Sequence, residues 1–359
     1  MNEKVLVQKL EKVVTGDYRL TEEDAAQAFR CLPLSTLFRY ADKIRERLNG
    51  KICTFIIDRN VNYTNICGIR CKFCAFSRSE KDEDAYILSI DEILKRVKEA
   101  RKLGATQVML QGGLYRKTGL SYITEVFRAI KERYPDITIH SLSAPEIEYL
   151  SKIENKSFEG ILSILRNSGL NSLPGGGAEI LSDEVKLVIS PNKTKTDTWL
   201  RIHETAHLLG IASTATMVIG HKEKVKHRIS HLACIRRLQD RTGGFMSFIP
   251  WIYHPGNTEL GGRKTTSADY LRTIAIARLF LDNLKHVQAS WISVGRTVGQ
   301  VALHAGADDL GSLMLEENVV RATGYDFMSM KMDEMVYLIE SSGREPAQRK
   351  TDFSIIRRF

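Results

Sequence analysis

Short apolar runs alternate with longer amphipathic stretches along this chain, and the alternation repeats often enough to predict a barrel. Runs of strand length occupy Ile52 to Ile57, Gln107 to Leu110, Ile137 to Leu142, Leu170 to Leu173, Ile211 to Val218, Phe245 to Pro250, Val287 to Ser293 and Gly306 to Asp308. Runs of this length, separated by segments of helical period, are what repeated βα units and a parallel sheet require, and eight is the number that closes a barrel. Between the first two runs, Ile90, Ile93, Leu94, Val97 and Ala100 fall on one helical stripe, with Ser89 as N-cap and Glu92 close behind it. Gly104 ends that helix. Another is predicted from Ser121 to Tyr134, before Pro135, and the apolar segment 270–284 reads as a long helix buried against its neighbours. The expected organisation is an N-terminal helical extension over residues 1–50, an α/β barrel over 51–311 and a C-terminal helical extension over 312–359. Parallel barrels carry their active sites on the loops that follow the strands, so chemistry is sought there.

The densest chemistry is Asn65-Ile66-Cys67-Gly68-Ile69-Arg70-Cys71-Lys72-Phe73-Cys74-Ala75-Phe76. This CxxxCxxC run follows the first predicted strand, which puts it at the barrel mouth. Three thiolates can hold three irons of a 4Fe-4S cluster and leave the fourth open to a small molecule, whereas a structural zinc site fills four positions from the protein. The open iron implies catalysis. Cys31, Cys53 and Cys234 stand singly and read as bystanders. The apolar Phe73, Ala75 and Phe76 suit a loop that shields a cluster from water.

Composition narrows the class further. The 359 residues are 43% hydrophobic and 26% charged, ordinary for a globular protein. No run approaches the ~18 apolar residues of a membrane span, and the charged, amphipathic N-terminus has no secretory pattern. A reducing cytoplasm is therefore expected, with cysteines free for metal. The net charge of +9 is spread over helix faces among Glu and Asp, with no aromatic-basic motif, so neither nucleic acid nor membrane is expected as a partner. The surplus suits an anionic small substrate.

Other candidates sit after predicted strands. Gln111-Gly112-Gly113 follows the second, Ser141 and Ser143 end the third, and Gly175-Gly176-Gly177-Ala178-Glu179 follows the fourth. The triple glycine lacks the GK[ST] of a phosphate loop, so nucleoside triphosphate binding is not supported. His203-Glu204-Thr205-Ala206-His207 has HExxH spacing and raises a rival zinc hydrolase. No third ligand follows at a typical offset, and a polar helix is the preferred reading. A non-catalytic metal-stapled binding protein is the alternative from another class.

The cysteine run resembles the cluster loop of the radical S-adenosylmethionine (SAM) enzymes. The stretch 58–78, with GGGAEIL (175–181), TATMVIGH (214–221), the segments 228–251 and 289–312, and EENVVRATG (316–324), is similar to the cyclic dehypoxanthinyl futalosine synthases of menaquinone biosynthesis, within a subgroup shared with aminofutalosine and deazaflavin-forming synthases. The 58–65 block, Trp251, Trp291 and the 311–320 segment lean toward the cyclases, and aminofutalosine synthase is the runner-up. The resemblance implies a radical SAM barrel in which Cys67, Cys71 and Cys74 hold the 4Fe-4S cluster, and Gln111, Gly112, Gly113, Ser143 and Glu179 hold SAM. It further implies abstraction of hydrogen from C4′ of the dehypoxanthine futalosine ribose and closure onto the benzoate ring, with a one-electron donor such as flavodoxin or ferredoxin. Candidates for the proton acceptor are His254, Tyr63 and Glu316; Arg59 and Arg296 are candidates for the benzoate carboxylate.

Overall fold

A computed structural model describes residues 3–326 and 328–359. Three helices, Glu3–Thr15, Glu22–Cys31 and Leu34–Asn49, precede the first strand and bury one face each, among them Leu6, Leu10, Phe29, Leu37 and Ile44. The strands that follow are β1 Ile52–Ile56, β2 Asp58–Asn62, β3 Gln107–Gln111, β4 Thr138–Ser141, β5 Ser172–Leu173, β6 Ala212–Ile219, β7 Phe245–Ile252, β8 His286–Val287, β9 Asp309–Ser312, β10 Glu345–Arg349 and β11 Ile355–Arg358. Strands β2 to β8 form one parallel sheet in sequence order, with helices on the connections. This is the TIM-like α/β architecture the alternating pattern predicts.

Eight staves are reached by a route the sequence did not suggest. The first predicted strand continues past Ile57, so β1 and β2 form one long run with different neighbours at its two ends. Its lower half pairs in parallel with β9 and β10, and its upper half pairs with β3. Strand β9 bridges the sheets, because Asp308 N–H donates to Val287 O and Ala289 N–H to Asp309 O on one side, while Thr54 N–H donates to Asp308 O on the other. Barrel strands are tilted and staggered, so one long strand can meet one neighbour low and another high. The cysteine loop accordingly leaves from β2, not from the strand segment at 52–57.

Two further expectations at the C-terminal side change. The run from Val287 to Ser293 is extended only over His286–Val287, and Trp291–Val294 is a helical turn that packs on Gly299, where a Cβ would meet Trp291 Cβ at 2.6 Å. The last stave is Asp309–Ser312 instead of Gly306–Asp308. The segment after 312, expected as helical, contains the helix Met332–Glu340 and the hairpin β10–β11. That hairpin covers the barrel floor. Arg349 grips buried Asp309 through two hydrogen bonds (2.6 and 3.0 Å), Thr351 Oγ1 donates to Gln107 Oε1 (2.8 Å), and the Phe353 ring stacks 3.8 Å from that of His286. Buried polar groups in the floor demand partners, and the C-terminal segment supplies them.

Local signals were met where periodicity was strongest. Helix Ile90–Lys102 starts on Ser89 with a full capping box from Glu92 and buries Ile93, Leu94, Val97 and Ala100. Helix Ser267–Phe280 buries ten of its residues, as its nearly unbroken apolar run requires.

Candidate active site

The barrel mouth is built by period-two alternation. Along β2, Asp58, Asn60 and Asn62 are buried, two residues apart and so on one face, whereas Arg59 on the other face meets Glu99 of the neighbouring helix at 2.7 Å. Asp58 accepts from Gln107 near the floor, Asn60 donates to Glu317 (3.0 Å) higher up, and Asn62 reaches the mouth. The polar inner face of β2 is thus buried and bonded to protein partners from the floor to the mouth.

From Asn62 the chain enters the cysteine loop, which is held by backbone hydrogen bonds from several directions. Cys67 N–H donates to Arg78 O, Gly68 N–H to Leu114 O, and Lys72 N–H to Ile189 O at 2.9 to 3.1 Å. Arg70 sits in the left-handed region at φ 50° to turn the loop between the first two cysteines. All three motif cysteines line one cavity of about 260 Å³ together with Phe73, Phe76, Gln111, Gly112, Gly113, Ser143, Gly176, Gly177 and Glu179. Burial pushes the Cys71 thiol up to about 12, so loading a metal there must displace its proton. Every residue proposed above for cluster and SAM therefore meets at this one place.

The glycine turn after β3 lies flush against the cysteine loop. A Cβ on Gly113 would stand 2.1 Å from Ile66 O and 2.8 Å from Cys67 Cβ, and one on Gly112 would meet the Tyr63 ring at 2.4 Å. Glycine is required here for protein-to-protein approach as well as for access to a ligand. Gly113 N–H donates to Thr64 O, locking turn and loop together.

Two residues that sequence reasoning passed over complete the cavity. Glu146, fully enclosed, accepts from the Tyr63 hydroxyl (2.7 Å), the Ser143 hydroxyl (2.7 Å) and Gly112 N–H (3.2 Å); burial raises its carboxyl above the usual range. Ser143-Ala144-Pro145-Glu146 has the S-x-x-E spacing of a helix start, the signal that could have marked it. Lys193 lies on the loop before helix Thr196–Leu208 and bonds Glu179 Oε1 at 2.7 Å, and nothing local in the sequence announces it. Glu179 itself sits at φ 40°, and its other oxygen, Oε2, is buried without a hydrogen bond, with Lys186 Nζ 3.8 Å away. An orphaned buried acceptor at a cavity wall is what a ligand hydroxyl or ammonium would satisfy.

The remaining candidates stand apart from the cavity wall. Tyr63 is buried behind the glycine turn and engaged by Glu146, and burial holds its hydroxyl well above the usual phenol range. His254 donates through Nε2–H to Ser293 O (2.9 Å), packs 4.3 Å from the Tyr325 ring and is lowered to about 4 by burial and by Lys264. Glu316 pairs with Arg59 at 2.6 Å, and Arg296 pairs with Glu334 at 2.5 Å, so both arginines considered for a benzoate carboxylate already hold protein carboxylates.

HETAH is framework. His203 is fully buried, its ring tilted against that of Trp199 with centroids 3.9 Å apart, and is bonded to Ser213 Oγ through Nδ1; His207 bonds the same hydroxyl through Nε2 and Thr242 through Nδ1. Glu204 faces outward to Arg241. Among the described residues, no three His, Cys, Asp or Glu side chains converge on a single ion. A cubane spreads its ligands over separate irons and needs no such convergence.

Comparison with known proteins decides the family. Residues 61–235 match the model of the radical SAM superfamily, and residues 242–358 match the CofH/MqnC C-terminal region. The chain is 45% identical over 358 residues, 98% of its length and 90% of the relative's, to the cyclic dehypoxanthine futalosine synthase of Streptomyces coelicolor. The chain belongs to the radical SAM enzymes. A second relative of that name, from Halalkalibacterium halodurans, is 40% identical over 98% of this chain and 95% of its own length. Two relatives with other names are also similar: a 5-amino-6-(D-ribitylamino)uracil–L-tyrosine 4-hydroxyphenyl transferase of Methanocaldococcus jannaschii, 40% over 89% of this chain and 92% of its own, and the aminodeoxyfutalosine synthase of Thermus thermophilus, 37% over 98% and 96%. The crystal structure of methylornithine synthase has the same fold, with a TM-score of 0.75 over 94% of this chain and 97% of that one at 19% identity. The three thiols on one wall, the flush glycine turn and the orphaned Glu179 oxygen fit the cluster and SAM that radical SAM enzymes employ.

Proposed function

We propose that this enzyme closes a ring in dehypoxanthine futalosine to give cyclic dehypoxanthinyl futalosine, a step toward menaquinone. The observation that carries the reading is the 45% identity across 98% of the chain to a relative named for that activity, against 37% for the aminodeoxyfutalosine synthase. Cys67, Cys71 and Cys74 would hold the cluster, and Gln111, Gly112, Gly113, Ser143 and Glu179 would hold SAM. When bound, these groups supply a 5′-deoxyadenosyl radical able to take hydrogen from C4′ of the substrate ribose.

The chain's own work is binding, orientation and exclusion of water. Phe73 and Phe76 form an apolar lip over the cysteines, and Phe76 packs edge-on to Tyr86. Asn62 lines the cavity with its amide held by the protein, Nδ2–H donating to Gln111 O and Oδ1 accepting from Asn318 Nδ2–H, both at 3.3 Å. After ring closure one electron and one proton must leave for the benzoate ring to regain aromaticity; the electron would pass to the oxidised cluster, and His254, Tyr63 and Glu316 are the proposed proton acceptors. Of these, His254 is neutral near pH 7, because burial holds its ring at about 4. The proposal includes a protein one-electron donor of the flavodoxin or ferredoxin class, a cytoplasmic location and no nucleic-acid or membrane partner; no described helix is long and apolar enough to cross a membrane. It also retains the division at residues 50 and 311.

Substrate deuterated at C4′ tests the assignment. Anaerobic turnover with SAM and reductant is expected to release 5′-deoxyadenosine carrying one deuterium, with a cyclised product that contains no adenine. Adenosyl carbon retained in the main product from an enolpyruvyl benzoate would point to the aminodeoxyfutalosine reaction instead.

A further inference from the structure

Beside the cysteine loop the buried charges do not balance. Lys193 Nζ lies 2.7 Å from Glu179 Oε1, and Lys186 Nζ lies 3.8 Å from Glu179 Oε2. Lys186 and Glu179 are buried, with 4% and 7% of their side-chain surface exposed, and Lys193 is largely covered at 16%. Two ammonium groups thus face one carboxylate. Around them, burial shifts His221 toward its neutral form and pulls Lys186 in the same direction against the attraction of Glu179, and Asp183 is spent at the protein surface on the backbone and hydroxyl of Thr196. The group around Glu179 therefore holds one more cation than carboxylate, while burial shifts Glu146, which lines the same cavity, toward its protonated form.

That surplus is aimed at the cysteines. Lys193 Nζ stands 5.2 Å from the centre of the Phe73 ring, and Phe73 lies between Cys71 and Cys74. Lys193, Cys71, Cys74 and Glu179 line the same cavity. Lys186 is held in place by donating to Gly177 O at 3.0 Å, and the cysteine loop is tied to the end of the Lys186 helix by Lys72 N–H to Ile189 O. A buried cation without its anion is costly, and the cost is met when an anion is placed opposite. Three thiolates around a doubly positive oxidised cubane carry one net negative charge, and one more after reduction.

We propose that Lys186, Glu179 and Lys193 form an electrostatic counterweight that eases one-electron reduction of the cluster. The inference rests on the reading that Cys67, Cys71 and Cys74 hold that cluster. In the step concerned, one electron leaves a reduced donor protein of the flavodoxin or ferredoxin class and enters the cluster; no bond or proton is exchanged. The added negative charge is stabilised by a cation fixed nearby in a medium that screens poorly, so the reduced state gains more than the oxidised one. The second lysine keeps the pair with Glu179 from cancelling the field.

The test is an anaerobic redox titration of the reconstituted full-length enzyme, read by electron paramagnetic resonance, with iron and SAM affinity measured on each variant. Lys193→Met is expected to move the midpoint to more negative potential, by about 59 mV for each tenfold loss in the one-electron equilibrium. Lys186→Met should move it the same way but less, Glu179→Gln the opposite way, and Lys193→Arg should hold it near the wild-type value. If Lys193→Met does not retain its iron, the opposite signs of Lys186→Met and Glu179→Gln decide. A wild-type protein that takes up no iron–sulfur cluster overturns the site reading and this proposal with it. A loaded cluster whose midpoint ignores these substitutions, with SAM affinity lost, overturns the counterweight alone and assigns Lys193 to the SAM carboxylate.

Discussion

The Tyr63 hydroxyl donates to Glu146 Oε1 at 2.7 Å, and this buried bond ties the residue after β2 to the helix that begins at Ala144. Since the same carboxylate also receives Gly112 N–H and the Ser143 hydroxyl, it fixes three pieces of the cavity wall from behind. Replacing Glu146 with Ala leaves three donors unmatched in a dry place. SAM affinity is expected to fall by about ten- to a hundredfold, the usual penalty for losing a supporting partner of a cofactor shell. Tyr63→Phe should cost less, because Glu146 keeps two of its donors. Calorimetric SAM titration of the reconstituted proteins measures both, with circular dichroism confirming an intact fold; wild-type affinity in Glu146→Ala would remove it from the cofactor shell.

The motif cysteines and the glycine beside them should fail together. Cys67→Ser, Cys71→Ser and Cys74→Ser are each expected to lose cluster iron and SAM cleavage, while Cys31→Ser, Cys53→Ser and Cys234→Ser retain both. Gly113→Ala adds a methyl 2.1 Å from Ile66 O and should push the loop away, lowering iron content without unfolding the barrel. Iron analysis and the visible spectrum check all seven. Normal iron and turnover in any one of the motif mutants would sink the assignment.

His203 and His207 are expected to behave as core residues. His203→Ala removes a buried ring packed against Trp199 and a bond to Ser213, and should destabilise the fold by about 2–4 kcal/mol. His207→Ala should leave turnover per folded molecule nearly unchanged. A large activity loss at unchanged stability, with zinc restoring the wild type after chelation, would revive the hydrolase reading.

Stability should decline in mild acid. Burial lowers His140 and His231 to about 3 and His207 and His254 to about 4, from an ordinary value of 6.5. Between roughly pH 6.5 and 4 the unfolded chain binds protons that the folded rings refuse, so unfolding gains as pH falls and stability is regained as pH rises through that window. From pH 7.5 to 5.5 the loss should be about 1 kcal/mol for each fully buried ring. Urea unfolding at the two pH values measures it. His140→Gln should flatten the difference, and an unchanged slope would show that these rings titrate normally in the folded state.

Features that depend on near neighbours are legible in the order of residues alone. The capping box at Ser89 and Glu92, the buried helix around 267–280, the strand and helix alternation, and the three-thiolate spacing are all set within a few residues, where periodicity and ligand count can be read directly. Only tertiary structure decided which end of the 52–62 run pairs with which strand, because β10 arrives from nearly 300 residues away to take the place below β3. The same holds for Glu146 and Lys193. Each is an ordinary charged residue in its own segment, and each acquires its role only when folding removes water from around it and sets it against partners distant in sequence: Tyr63 and Gly112 for one, Glu179 and the cysteine loop for the other. Arg59 shows the converse, since a mouth-side position made it a candidate ligand until folding placed Glu99 and Glu316 within reach of its guanidinium.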